Sequence, residues 1–198
     1  MSITIITPTY NRDEKILLRC IKSVDSQIYK NFKHIIIVDD NYFDEKYISS
    51  NFIDSHSSNN RIFITLGYRS NNYGNSPRQK CIDIADTEYI IFLDDDNIIF
   101  PNYLSEMIDG IKNYDIGICK IIHMGPLPAN LHPPPKILDG NPPILRNIDT
   151  LQIIVKTNVM KKEGWEIDKG YLADGYTIEK ICKNHSFTFI NKILGIHM

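Results

Sequence analysis

The chain lacks any apolar run near the roughly 20 residues needed to span a bilayer, so a membrane helix is not expected. It lacks a basic block as well: 22 Lys and Arg face 24 Asp and Glu, for a formal net charge of −2, which argues against nucleic acid as a partner. No Walker A and no G-x-G-x-x-G sequence occurs, so a P-loop or dinucleotide site has no support. The four cysteines, Cys20, Cys81, Cys119 and Cys182, form no C-x-x-C pair. They are expected to be buried reduced thiols in a reducing compartment rather than zinc ligands. Residues 1–7 show neither a positive leader region nor a small-residue cleavage site, which favours a first strand and a cytoplasmic location.

What remains is an ordinary globular composition, 42% apolar and 23% charged, and 198 residues suffice for one domain with its own core. Strand-like and helix-like segments alternate. Strands are expected at 2–7, 35–38, 61–66, 90–93 and 115–122. Helices are expected at 13–27, more weakly at 43–54, and at 76–86 and 101–113, the last opened by Pro101. This rhythm predicts an α/β/α sandwich on a mixed, mostly parallel sheet. Residues 124–147 interrupt it with seven of the ten prolines, a loop that can be neither helix nor central strand. A strand at 151–155, a helix to Glu163, a helix at 174–184 and two short strands are expected to follow.

The run Ile90-Ile91-Phe92-Leu93 ends in Asp94-Asp95-Asp96, three adjacent carboxylates at the mouth of a buried strand. Their mutual repulsion asks for compensation, and a divalent cation with hard oxygen ligands would supply it. Ligands of open α/β sheets bind beyond the carboxyl ends of the strands. That edge collects residues 7–12, Asp39-Asp40, residues 71–78 and the acidic cluster, so carboxylates lie together with Arg12, Arg69 and Arg78. Carboxylates, a cation and arginine make a seat for a nucleoside diphosphate. An EF-hand fails, because Ile98 and Ile99 fall where ligands and the turn should be. A receiver domain would carry its acidic pair on the first strand.

Five segments in order, Thr7-Pro8-Thr9-Tyr10-Asn11-Arg12, Ile37-Val38-Asp39-Asp40, Asn72-Tyr73-Gly74 with Arg78, Phe92-Leu93-Asp94-Asp95-Asp96, and Gly164-Trp165 followed by Leu172-Ala173-Asp174, resemble glycosyltransferase family 2 with its GT-A fold. The resemblance implies one Rossmann-like domain over 1–198. Residues 1–123 would form its nucleotide-sugar half, 124–147 the proline-rich loop, and 148–198 the acceptor and catalytic half. It implies that Thr7, Pro8, Tyr10, Arg12, Asn72, Gly74 and Arg78 shape the nucleotide pocket, with Asp39 or Asp40 on the base. Asp94 and Asp95 would approach the ribose and sugar. Asp96 would ligate Mn²⁺ or Mg²⁺ at the diphosphate, and His197 resembles the C-terminal metal-ligand histidine of some GT-A enzymes.

The resemblance further implies an inverting transfer of a sugar from a nucleotide-sugar donor, UDP being the expected nucleotide, to a hydroxyl acceptor in glycan synthesis. Asp174 matches the general base, although Ala173 stands where the family has an acidic neighbour. Asp168 and Glu179 are the fallbacks, and an N-cap role for Asp174 on helix 175–184 is the plain alternative. His123 and His132 flank the loop and could touch substrate. Trp165 and Tyr171 could stack on a sugar, or Trp165 could simply fill core. A catalytically degenerate sugar- or protein-binding module and a sugar-1-phosphate nucleotidyltransferase are the competing functions.

Overall fold

All seven residues of β1 (Ile3–Thr9) are buried in the computed structural model, which describes residues 1–124 and 137–198. A strand covered on both faces needs apolar side chains at even and odd positions alike, and Ile3, Ile5 and Ile6 meet that demand. β1 lies between β2 (Phe32–Val38) and β4 (Tyr89–Phe92), parallel to both. β3 (Arg61–Thr65) continues the parallel set beyond β2. On the other side β8 (Ile153–Lys156) runs antiparallel to β4 and to β6 (Ile116–His123). β9 (Phe187–His197) then pairs parallel to β6, and β5 (Ile98–Ile99) closes that edge against β9. The short β7 (Ile137–Leu138) pairs with the far half of β6. The result is an α/β domain on a mixed sheet, ordered β3-β2-β1-β4-β8-β6-β9-β5, in which most of the paired length is parallel.

Alternate residues of β1 serve opposite faces, as strand geometry requires. Ile3 and Ile5 pack with Cys20 and Val24 of α1 (Glu14–Asp25) and Met107 of α4 (Tyr103–Ile111). Ile6 packs with Cys81 of α3 (Asn75–Ile84), Met160 of α5 (Thr157–Glu163) and Ile178 of α6 (Ala173–Asn184). A third cluster sets Phe52 of α2 (Ser50–His56) over Ile36 and Val38. The four cysteines are buried and free.

Three expectations change. The helix drawn at 43–54 is confined to Ser50–His56, because Asp44 and Glu45 close turns and Ser49 caps the helix at Phe52 N (3.2 Å). The two short closing strands are one strand of 11 residues, β9, whose pairing with β6 slips twice near Lys120. β5 and β7 were not expected at all; two residues each carry too little pattern to be read. Half of the proline-rich loop, residues 125–136 with His132, lies outside the described residues.

Candidate active site

β1 sits where the strand order turns, with β2 on one side and β4 on the other, and a cleft of about 630 Å³ opens at their carboxyl ends. On this wall every carboxylate has an arginine. Arg12 donates from Nε to Asp95 Oδ1 (2.9 Å), and its Nη2 lies 2.7 Å from Asp95 and 3.1 Å from Asp96. Arg78 pairs with Asp94 and donates to the Tyr73 carbonyl (2.9 Å). Arg69 pairs with Asp39 while its guanidinium covers the Tyr10 ring, 3.4 Å from the centroid. Ser70 adds two more bonds to Asp39, from its N–H (2.9 Å) and its hydroxyl (2.6 Å). Arginine therefore offsets part of the repulsion within the acidic cluster. Burial still pushes Asp95 up to about 6 against the pull of Arg12, and it raises Asp96 as well.

The loop before α3 is shaped by left-handed backbone at Asn71 (φ 55), Tyr73 (φ 61) and Gly74 (φ 76). A Cβ on Gly74 would come within 3.1 Å of both Arg78 Nη1 and Pro8 Cβ, so glycine lets the loop press on β1. Asn75, buried at the start of α3, accepts from Trp165 Nε1 (3.0 Å) and donates to the Gly170 carbonyl (2.9 Å). These bonds tie the first wall to the segment that leads into α6.

The facing wall has no arginine–carboxylate ion pair among the described residues. Asp174 lies in the first turn of α6 and accepts from the Gly175 N–H (2.7 Å). It is deep in the cleft yet partly open to it, and burial, reinforced by Asp149, pushes its carboxyl up to about 7. Asp149 heads a 3-10 turn (Thr150–Gln152) in a capping box with Gln152. The parallel register of β6 and β9 sets His123 opposite His197, and their rings stand 4.1 Å apart. His197 Nε2 lies 3.8 Å from Asp149. Burial first and then the His197 charge lower the pKa of His123.

The family model described as glycosyl transferase family 2 matches residues 4–161, most of the chain. The chain belongs to this family. Among the relatives it matches is an uncharacterized glycosyltransferase of Methanocaldococcus jannaschii, 30% identical over 111 residues, 56% of this chain and 37% of that one. Another is the GalNAc(5)-diNAcBac-PP-undecaprenol beta-1,3-glucosyltransferase of Campylobacter jejuni, 29% identical over 106 residues, 54% of this chain and 33% of the relative. The chain thus spans about a third of the length of these curated relatives. The fold is that of S. aureus TarS, with a TM-score of 0.79 at 18% identity over 100% of this chain and 37% of TarS. TarS 1-349 in complex with UDP gives 0.77 at 16% identity, covering 99% of this chain and 60% of that one.

Within this family 2 fold the cleft brings together Pro8, Tyr10, Arg12, Asp39, Gly74, Arg78, Asp94, Asp95, Asp96, Asp174 and His197. Three expected residues do not reach it. Thr7 is fully buried and bonds His34 Nε2 (3.0 Å) beneath the sheet edge. Asp40 turns to a separate hollow with Tyr42 and Tyr47, because successive residues leaving β2 point to opposite sides. Asn72 folds its own loop, its side chain bonded to Ser70 and Ser76. Neither fallback, Asp168 nor Glu179, lines the cleft; Glu179 instead accepts from the Leu145 N–H (3.1 Å). α6 begins at Ala173, so Asp174 is inside the first turn and not its N-cap. Trp165 is core, packed on Phe92, while Tyr171 lines the cleft. Asp149, Tyr73, Asn75 and Arg146 also line it and were missed. Only Asp149 carried a readable signal, the Asp-x-x-Gln capping pattern.

No helix among the described residues is long and apolar enough to cross a membrane.

Proposed function

We propose that this domain transfers a sugar from a nucleoside diphosphate sugar, with UDP as the nucleotide, to an acceptor hydroxyl with inversion, as a step in glycan synthesis. The reading is carried by one arrangement: an arginine-rich donor wall faces a carboxyl, Asp174, whose proton affinity is tuned near neutrality. UDP is supported by the complexes of TarS with UDP and with UDP-GlcNAc, and a hexosyl or N-acetylhexosaminyl group is the sugar class to test first.

Asp174 takes the proton of the acceptor hydroxyl as that oxygen attacks the anomeric carbon, while the bond from that carbon to the diphosphate oxygen breaks on the opposite side. Tyr10, with Asp39 fixed by Arg69 and Ser70, borders the space for the base. Arg78 and Arg12 hold positive charge where the diphosphate departs. Asp96 and His197 line the same cleft and are the residues that would hold Mn²⁺ or Mg²⁺. Both histidines facing each other here keep a buried, unbonded Nδ1 among the described residues, a donor set suited to a cation. When bound, that cation supplies charge neutralisation to the leaving diphosphate.

The test is a screen of UDP-sugars, with Mn²⁺ present, for UDP release by mass spectrometry, run beside thermal melting with UDP. Release from at least one donor, and a melting temperature raised by UDP in the wild type but not in Arg78→Ala, is expected. An unmoved melting curve at millimolar UDP defeats the proposal.

A further inference from the structure

Where β6 and β9 end, their register makes His123 and His197 cross-strand partners. Asp149 spends one oxygen on the Leu151 N–H (2.8 Å) and turns the other toward His197 Nε2, 3.8 Å away. One ligand atom from each of the three residues lies within 4.8 Å of the other two. Atoms held about 2.0–2.2 Å from a common first-row cation stand roughly 3–4.5 Å from each other, so a small closure completes such a set. Two buried imidazole nitrogens, Nδ1 of His123 and Nδ1 of His197, have no hydrogen-bond partner among the described residues. Asp149 has no lysine or arginine partner among them either, in contrast to Asp39, Asp94, Asp95 and Asp96. These three side chains are equipped for a ligand and are not consumed by the fold.

We propose that His123 and Asp149 join His197 in holding the cation of this cleft, and that the two imidazoles select a transition cation such as Mn²⁺ or Co²⁺ over Mg²⁺. The use of that cation rests on the transferase reading; the site itself rests on the ligand geometry. Mg²⁺ asks for oxygen ligands and gives up its water reluctantly, whereas imidazole with one carboxylate suits first-row transition cations. Asp96 is less free for the task than the sequence suggested, since Arg12 already engages its carboxylate.

The experiment is titration of the whole chain with Co²⁺, followed by its visible absorption, together with pulsed electron paramagnetic resonance of the Mn²⁺-loaded wild type. Expected are cobalt bands that saturate at one equivalent and survive a hundredfold excess of Mg²⁺, and a manganese signal coupled to two imidazole nitrogens. His123→Gln and Asp149→Asn should each weaken Co²⁺ binding by about tenfold or more, since even outer-shell changes cost about 10–100-fold. The manganese measurement needs no variant, so it decides even if a substitution unfolds the chain. Loss of the cobalt bands to equimolar Mg²⁺, a manganese spectrum with fewer than two coupled nitrogens, or folded variants that bind as the wild type does would overturn the proposal. UDP binding, read by melting, separates the two readings. UDP bound beside a manganese signal with fewer than two coupled nitrogens defeats this site alone; manganese coupled to two nitrogens without UDP binding defeats the transferase reading and leaves the site standing.

Discussion

The two walls of the cleft solve the same electrostatic problem differently. The first wall, at the ends of β1, β2 and β4, neutralises itself: Asp39, Asp94, Asp95 and Asp96 are answered by Arg69, Arg78 and Arg12. The second wall, built by β6, β9, Asp149 and the first turn of α6, gives Asp174 and Asp149 no arginine ion pair among the described residues and sets two imidazoles side by side. A self-neutralised wall is a binding surface, ready to exchange an internal carboxylate for a phosphate. An unneutralised wall keeps its groups near the pH at which they can accept protons or ligands.

The sharpest way to break the contrast is Asp174→Asn. Turnover should fall by about 10²–10⁴-fold, the usual worth of a general base, with UDP binding unchanged. Its folded carboxyl, at about 7, lies above the ordinary value, so the stability it contributes is full in acid and is lost as pH rises through 7. The asparagine variant should consequently melt a few degrees higher than wild type at pH 8 and show no gain at pH 4. Next in size, wild-type turnover should climb about tenfold per pH unit up to about 7 and then level off, the mark of a base that must lose its proton. A flat profile from pH 5 to 8 removes Asp174 from the chemistry.

Arg78→Ala tests the first wall: it strands Asp94 and uncovers the Trp165 face. Losing one partner of a buried pair costs about 3–5 kcal/mol, and Asp94 is open enough to the cleft to put this case at about 3. At 2–4 °C per kcal/mol, melting should drop by roughly 6–12 °C. Gly74→Ala forces a left-handed alanine against Pro8 and should cost about 1–2 kcal/mol by denaturant titration. Smallest, Trp165→Phe keeps the packing on Phe92 but leaves Asn75 Oδ1 unbonded, for about 1 kcal/mol.

The first wall was legible because each of its pieces is a short contiguous string at a strand end, Tyr10 to Arg12 or Asp94 to Asp96, and the sheet rule alone gathers such ends. On the second wall Asp174 and His197 were legible through family likeness, and His123 and Tyr171 as residues that could touch substrate. Asp149 was not read, and the facing of His123 with His197 comes from the pairing of β6 with β9, a contact between segments 71 to 74 positions apart whose slips no local pattern encodes. Asp40 and Thr7 failed for a related reason: a motif names neighbours in sequence, and strand geometry sends neighbours to opposite faces. The arginine partners were visible as residues but not as partners.

The slips in β9 carry a consequence for how such a domain varies. Six residues, Ile190–Gly195, are laid against three, Cys119–Ile121, so the ladder holds slack just upstream of its last imidazole. Gaining or dropping a single codon in that stretch would advance the terminal histidine by one notch and turn it to the sheet's reverse side, while the apolar layers beneath stay shut. A lineage could in this way lose or recover the facing pair of imidazoles by indels alone, with every residue of the motif strings intact.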